Sequence, residues 1–526
     1  MSTLTALARI EAARHGRAQP LATVRHCHLA ERPLVVIPLR LAGEAAAPLA
    51  VMAGTGPGDA RLLVVPQPRN RNLRFAFAAE LAAIVLSYLE SCRTVTEVVT
   101  DRAGAERERF ADAPQLLVPN PGAIGFLRLL GRSTRFRRTD GPYPVDASVP
   151  LLGRWLTWFT DRAERPGTAT LLAMTEVLGL HWASGQSSLE DGNLAALLGW
   201  IDPPPGLTGP QAALRAEDPV DFPPAGPATH PGFDNEVLAP ALAAYDAATP
   251  TTHPVTNPVT NPPANDAISH GTSHGTRDTT TDATGAAREA AVRRIREVIA
   301  GQLEPTWRLM WRSVELLRAL PEAASVPARL RQDRESFTRF TESLPEGFPQ
   351  ARRDGAVAAA VRLDRLERAQ AEYDAQRAFD DPLVMAEFRL TGEAFGGVVV
   401  ECDPTRLDQS GKRAKPRPRI RVRTEDPVRV TPGRTVHNAA RPAQEARILE
   451  VAQDTVLLEL SSGMGGGRSP RPGSVPEIGD HVCFCVFGGK GFGITSFPGR
   501  EDTPWTHGGP PPEYVPTDDD AQEEWS

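Results

Sequence analysis

The sequence predicts a multidomain α+β protein. It has an N-terminal α+β unit with a helical extension, a disordered linker, a helical stalk and a small C-terminal β-barrel. Three observations predict this. Strand-like and helix-like hydrophobic periods follow one another within residues 1–145. A Pro- and Thr-rich stretch of low hydrophobicity interrupts the middle. Five short alternating runs, separated by Gly, Pro and Asp, then fill residues 384–500. The chain has 526 residues, 41% hydrophobic and 23% charged, a composition able to fill several cores.

Each element has a local reason. MSTLTALARIEAARHG has amphipathic helical spacing and contains an acid, unlike a signal peptide. RPLVVIPLRL, APLAVMAG and ARLLVVPQP read as a meander of three strands. NLRFAFAAELAAIVLSYLESC has helical spacing at Phe77, Leu81, Ile84, Val85, Tyr88 and Leu89. APQLLVPNPGAIGFLRLLGRSTRF reads as strand, turn and helix, with Asn120 opening the helix and Gly131 closing it. Residues 146–202 predict three helices, in VPLLGRWLTWFTDRAER, TATLLAMTEVLGLHWA and SSLEDGNLAALLGW. The third follows a Ser187/Glu190 capping-box spacing. Trp155, Trp158, Trp182 and Trp200 are expected to fill one core between these helices.

Residues 203–285 are the linker, and 249–285, with HPVTNPVTNPPAND, are expected to be disordered. Limited proteolysis there is expected to release two stable fragments. GFDNEVLAPALAAYDAA is expected to dock on the first half as a helix. In the helical region 286–383, Val292, Ile295, Ile299, Leu303, Met310, Val314 and Leu317 form one stripe, and Pro305 is read as the start of a new helix. A further long helix ends before Asp381-Pro382. The barrel strands are read in GGVVVEC, RPRIRVRTE, EARILEVAQ, TVLLELSS and DHVCFCVF. Residues 501–526 form an acidic tail.

Several chemistries are excluded by composition. Lysine occurs at Lys412, Lys415 and Lys490, and the other 55 basic residues are arginine. Neither Gly411-Lys412 nor Gly489-Lys490 has the earlier glycine of a Walker A loop. The first 411 residues offer no lysine for a Schiff base or a D…ExK nuclease centre. The five scattered cysteines, Cys27, Cys92, Cys402, Cys483 and Cys485, suit reduced thiols in a cytoplasmic protein. No run of 18 apolar residues occurs, so no membrane partner is expected. His26, Cys27 and His28 are adjacent, so they point apart on a strand. No second ligand pair lies nearby, and neither a metal nor a cofactor is expected.

The strongest charge signal is KRAKPRPRIRVRT. Arg417, Arg419, Arg421 and Arg423 alternate with Pro418, Ile420, Val422 and Thr424, so a strand sends all four guanidinium groups to one face. Like charges side by side repel unless acids or phosphates neutralise them. Residues 405–434 hold ten basic residues, Lys412, Arg413 and Lys415 among them, against Asp408, Glu425 and Asp426. The chain as a whole carries −7. A nucleic-acid phosphate backbone is one anionic partner for such a face; a solvated outer strand is the plain alternative. Arg128, Arg132, Arg135, Arg137 and Arg138 form a second basic patch, and Arg69, Arg71 and Arg74 a third. Shared on one face, these patches would make a groove.

Three resemblances accompany these readings. Lys490, Gly491, Phe492, Gly493 and Phe497 in FGGKGFGITSF resemble the base-stacking strand of RNA-recognition and cold-shock domains, whereas Ile494 and Thr495 depart from it. The tail DDDAQEEWS, with Asp518, Asp519, Asp520, Glu523, Glu524 and Trp525, resembles the docking tips of bacterial single-strand-binding proteins, a resemblance that implies a protein partner for 518–526. LLVVPQPRNRNLRFAFAAEL, LLGRSTRFRRTDGPYPV and DTPWTHGGPPPEYVPTDDD resemble a family of uncharacterised proteins from high-GC bacteria, which implies no activity. The sequence is therefore read as a non-enzymatic accessory protein whose barrel contacts DNA or RNA without base specificity. The alternatives are a protein-interaction scaffold and a hydrolase with a site in the N-terminal half.

Overall fold

Strand Pro48–Gly54 is buried along its whole length, and Leu34–Arg40 along all but its last residue. A strand apolar on both faces is stable only in a sheet covered on both sides. In the computed structural model these strands are the middle of a five-stranded sheet. Its order is Arg61–Val64, Pro48–Gly54, Leu34–Arg40, Leu116–Val118, Leu171–Ala173. The structure describes residues 2–100, 104–249, 278–345, 356–409, 414–465, 467, 469–488 and 496–497. The first three strands of this sheet in chain order form the expected antiparallel meander, with Ile37 opposite Met52 and Val51 opposite Leu63. The last two run parallel, Leu116 beside Leu34 and Leu171. TLLA, expected to begin a helix, is thus an edge strand. A run this short has no readable period, and its buried parallel pairing decides its state.

Helices Arg71–Cys92, Pro121–Thr134 and Ser148–Ala163 cover one face. Leu34, Val36 and Val51 share a core there with Phe77, Leu81, Leu127 and Trp155. Arg71–Cys92 is apolar enough by composition to span a membrane, but it turns Phe77, Leu81, Val85 and Leu89 into this core. Helix Val326–Ser343 adds Phe337, whose ring centroid lies 5.6 Å from that of Trp155. Gly131 does not end its helix. A Cβ on Gly131 would lie 3.0 Å from the Thr157 nitrogen, and one on Gly153 would lie 2.3 Å from the Arg135 nitrogen. The two glycines let these helices cross closely.

The opposite face is covered by the chain that returns after the linker. Val35, Ile37 and Met52 share a core with Ile295, Ile299, Leu303, Met310 and Val314 of helix Asp278–Arg318. The helical stalk is therefore joined to the N-terminal unit by a common core. Its first helix runs through Pro305 instead of restarting there. The apolar stripe stays on the sheet on both sides of the proline, and that burial outweighs one lost hydrogen bond. Leu238, Leu242 and Tyr245 dock in the same core, as expected for GFDNEVLAPALAAYDAA. The tryptophans divide: Trp155 and Trp158 lie on one face of the sheet and Trp200 on the other. Ser187 and Glu190 make both arms of their capping box, at 2.7 and 3.3 Å, around a short turn. Asn193 then caps helix Leu194–Ile201.

A buried polar junction ties the N-terminal segment to the C-terminal helices. Asp381 caps helix Pro382–Thr391 through the Leu383 N–H at 2.9 Å. The same carboxylate accepts the Thr23 N–H at 2.6 Å and the Val24 N–H at 3.3 Å. His26 Nε2 lies 3.4 Å from it. The His26 N–H donates to His181 Nε2 at 3.0 Å, and His181 Nδ1 donates to the Val177 carbonyl at 2.7 Å. Arg329 donates to the His26 carbonyl at 2.7 Å. Burial pulls both histidines down to about 4, with the Arg377 charge contributing to each, so both are neutral at pH 7. Burial also pushes the Cys27 thiol up to about 12.

Helix Pro382–Thr391 leads into a closed six-stranded antiparallel barrel. Its order is Ala394–Asp403, Arg419–Arg423, Thr455–Leu460, Arg441–Val451, Thr435–Asn438, His481–Cys485, and back to the first. Phe395, Ile420, Val422, Ile448, Leu458 and Phe484 fill it. The sequence predicts five of these strands. The sixth, Thr435–Asn438, is too short to show a period of two. Phe487 seats the barrel on the helices, 4.6 Å from Phe388 and 5.5 Å from Phe379 between centroids. Beyond Phe487, most of FGGKGFGITSF lies outside the described residues, as do residues 250–277 and the acidic tail.

Two outcomes follow from this packing. Cutting at a protease site engineered between 250 and 277 should leave one native particle in size-exclusion chromatography, because the two pieces share a core. They should separate only in denaturant; two native peaks would contradict the shared core. The junction histidines make stability depend on pH. Their folded values lie below the unfolded value of about 6.5, so the unfolded chain takes up protons first as the pH falls. Stability should be complete above 6.5 and decline towards 4. Urea midpoints at pH 7.5 and 5 should differ more in wild type than in His181→Gln.

Candidate nucleic-acid interface

The arginine strand keeps the predicted alternation. Ile420 and Val422 are buried in the barrel, while Arg419, Arg421 and Arg423 face outward. Its neighbours supply the counter-charge. Asp403, Arg419, Glu459 and Arg447 stand side by side on four adjacent strands. Arg419 Nε lies 3.1 Å from Glu459 Oε2, and Arg406 pairs with the same carboxylate. In the next row Arg421 lies 3.0 Å from Glu401 and 3.7 Å from Glu450. The hydrogen bond to Glu401 and that carboxylate's charge raise Arg421 above the usual arginine value. Arg417 donates to the Ser461 carbonyl at 2.9 Å. Arg423, at the end of the strand, is exposed and faces Val398 and Thr455 in register. Lys415 is exposed on the short strand Lys415–Pro416. Lys412 and Arg413 lie outside the described residues.

The face is thus a cross-strand lattice of alternating sign. Counting charges within 405–434 overlooks Glu401, Glu450 and Glu459, which come from strands on either side. The signal was present, because each glutamate sits inside a predicted strand, in VVVEC, RILEV or LLEL. A cleft of about 990 Å³ on the barrel, which Arg423 helps to line, is also mixed in sign, with Arg389, Arg441, Asp426, Asp454 and Asp480.

The second basic patch divides among different surroundings. Arg128 pairs with Glu164 at 2.9 Å. Arg132 is exposed. Arg135 is buried, its guanidinium 4.6 Å from the Phe136 ring centroid. Arg138 lies 3.2 Å from Asp140. Arg137 turns the other way and joins the third cluster.

That junction is built from two helix ends. Asn70 caps Arg71–Cys92 by accepting the Leu73 N–H at 3.1 Å. Arg71, Arg74 and Phe75 then fall at i, i+3 and i+4, on one side of the first turn. Arg137 follows helix Pro121–Thr134 and donates to the Ser133 carbonyl at 3.0 Å. Its guanidinium lies 5.2 Å from the Phe75 centroid, on which Arg71 also sits at 4.7 Å. Arg71 is 5.6 Å from the Tyr143 ring and donates to the Tyr143 carbonyl at 2.9 Å. Burial, then the Arg71 and Arg74 charges, pull Arg137 down to about 10. Burial depresses Arg74 too, with Arg71 adding to the fall and Glu44 opposing it. Glu44 itself pairs with Arg69 at 2.8 Å. Guanidinium planes and aromatic faces in this arrangement suit phosphate oxygens and planar π systems.

No family model, curated protein or solved structure matches the chain. Among the described residues, no three His, Cys, Asp or Glu side chains gather to hold a metal ion.

The lattice on the barrel is open to measurement. A double-mutant cycle with Arg419→Gln and Glu459→Gln should give a favourable coupling of up to about 1 kcal/mol in urea unfolding, as for partly exposed pairs. Zero coupling would mean that the pair contributes geometry without energy.

Proposed function

We propose that the protein is a non-enzymatic accessory factor that holds nucleic acid by its phosphate backbone, without base specificity. The principal contact in this reading is the surface of Arg71, Arg74 and Arg137. The observation that carries it is their convergence from two separate segments, in a chain whose net charge is −7. A local concentration of guanidinium groups attracts a polyanion. The barrel would take a secondary part through Arg423 and Lys415. Arg419 and Arg421 are less available, because a phosphate would have to displace Glu459 and Glu401.

Fluorescence anisotropy with labelled oligonucleotides across a salt series tests this. The triple variant Arg71→Gln, Arg74→Gln, Arg137→Gln removes three phosphate contacts. Its slope of log affinity against log salt should be shallower by about two to three units. The double variant Arg419→Gln, Arg421→Gln should change the slope by less than about one unit. The opposite ranking would return the contact to the barrel strand. Wild-type protein without salt-dependent binding would overturn the proposal.

A further inference from the structure

We infer that Tyr143 is a stacking platform for one unpaired base, so that this surface takes single-stranded nucleic acid in preference to duplex. The inference rests on the phosphate-binding reading above and names the substrate class of that surface. Arg137, Phe75, Arg71 and Tyr143 form a continuous stack in which cation and ring alternate. The stack ends on Tyr143, which is 74% exposed. An aromatic ring this exposed gains little from burial and is held in place by other means.

Those means are visible in the chain. Tyr143 lies within Gly141-Pro142-Tyr143-Pro144. Gly141 turns the backbone with φ +83°. Pro142 has a locked φ, and Pro144 bars Tyr143 from the helical region. Arg71 grips the Tyr143 carbonyl and lies against the ring. The backbone that carries the ring is therefore constrained before any ligand arrives, so less entropy remains to be lost when something stacks on it. An exposed aromatic ring at the end of the stack can take a flat π system on its face. A nucleobase supplies one and carries a phosphate that Arg71 and Arg74 can meet. Duplex DNA hides its base faces in its own stack, whereas a single strand exposes them.

The test uses the full chain and two oligonucleotides of equal length and charge: a fluorescent dT 15-mer and an abasic 15-mer. A blunt duplex is the third probe. Wild type should bind the dT strand on the order of tenfold more tightly than the abasic strand at the same salt. It should bind the duplex less tightly than the dT strand. Tyr143→Ser should bind both single strands at the abasic level with the salt slope unchanged, and Tyr143→Phe should restore the difference. Ultraviolet crosslinking of a 5-bromouracil strand to wild-type protein should place the adduct on Tyr143, a readout that needs no variant. Equal, salt-dependent binding of dT and abasic strands, or an adduct elsewhere, would overturn the stacking role and leave the phosphate reading standing. No binding of any probe would overturn both.

Discussion

The two central strands of the N-terminal sheet are apolar on both faces, and most of the molecule is arranged around that fact. A single helical layer leaves half of this surface in water, at roughly 25 cal/mol for each Å² of apolar area. The first 250 residues cover one face well with three helices. The other face is completed by helix Asp278–Arg318, which arrives from beyond the linker. That return brings helix Val326–Ser343 against Trp155 and Trp158 on the far side. It also sets the point from which the helices below the barrel depart.

The barrel is attached to this body through polar groups as well as apolar ones. Asp381 caps one helix, fixes the backbone at Thr23 and Val24, and stands beside His26. A buried carboxylate is tolerated because several donors converge on it. The histidines near it stay neutral because burial, with the Arg377 charge, outweighs the pull of the Asp381 carboxylate. Phe379, Phe388 and Phe487 add the apolar part of the contact. The barrel's orientation thus depends on one small, directional network.

Charge is handled differently around the two arginine clusters. On the barrel, strand register places an acid beside each of Arg419 and Arg421, which suits a stable outer wall. Around Phe75, burial and the approach of arginines from two helix ends together depress Arg137. The same residue type is raised by a paired carboxylate in one place and lowered by burial and other arginines in the other.

Much of this was written in local pattern. The meander at 32–66, the stripe from Val292 to Leu317, the cap at Asn120 and the outward parity of Arg419, Arg421 and Arg423 all follow from periodicity and turn chemistry. These act over a few residues, so a sequence displays them. Four features could not be read that way. TLLA is a strand because Leu116–Val118 lies beside it, and Pro305 sits inside a helix because the sheet holds the helix on both sides. The basic patches at 69–74 and 128–138 divide and recombine at Phe75, while Glu401 and Glu459 close on the arginine strand from positions 20 and 40 residues away from their partners. Which charges meet is set by register and by helix crossing. Those are properties of packed surfaces, so the tertiary structure alone decided which arginines stand beside acids and which stand beside one another.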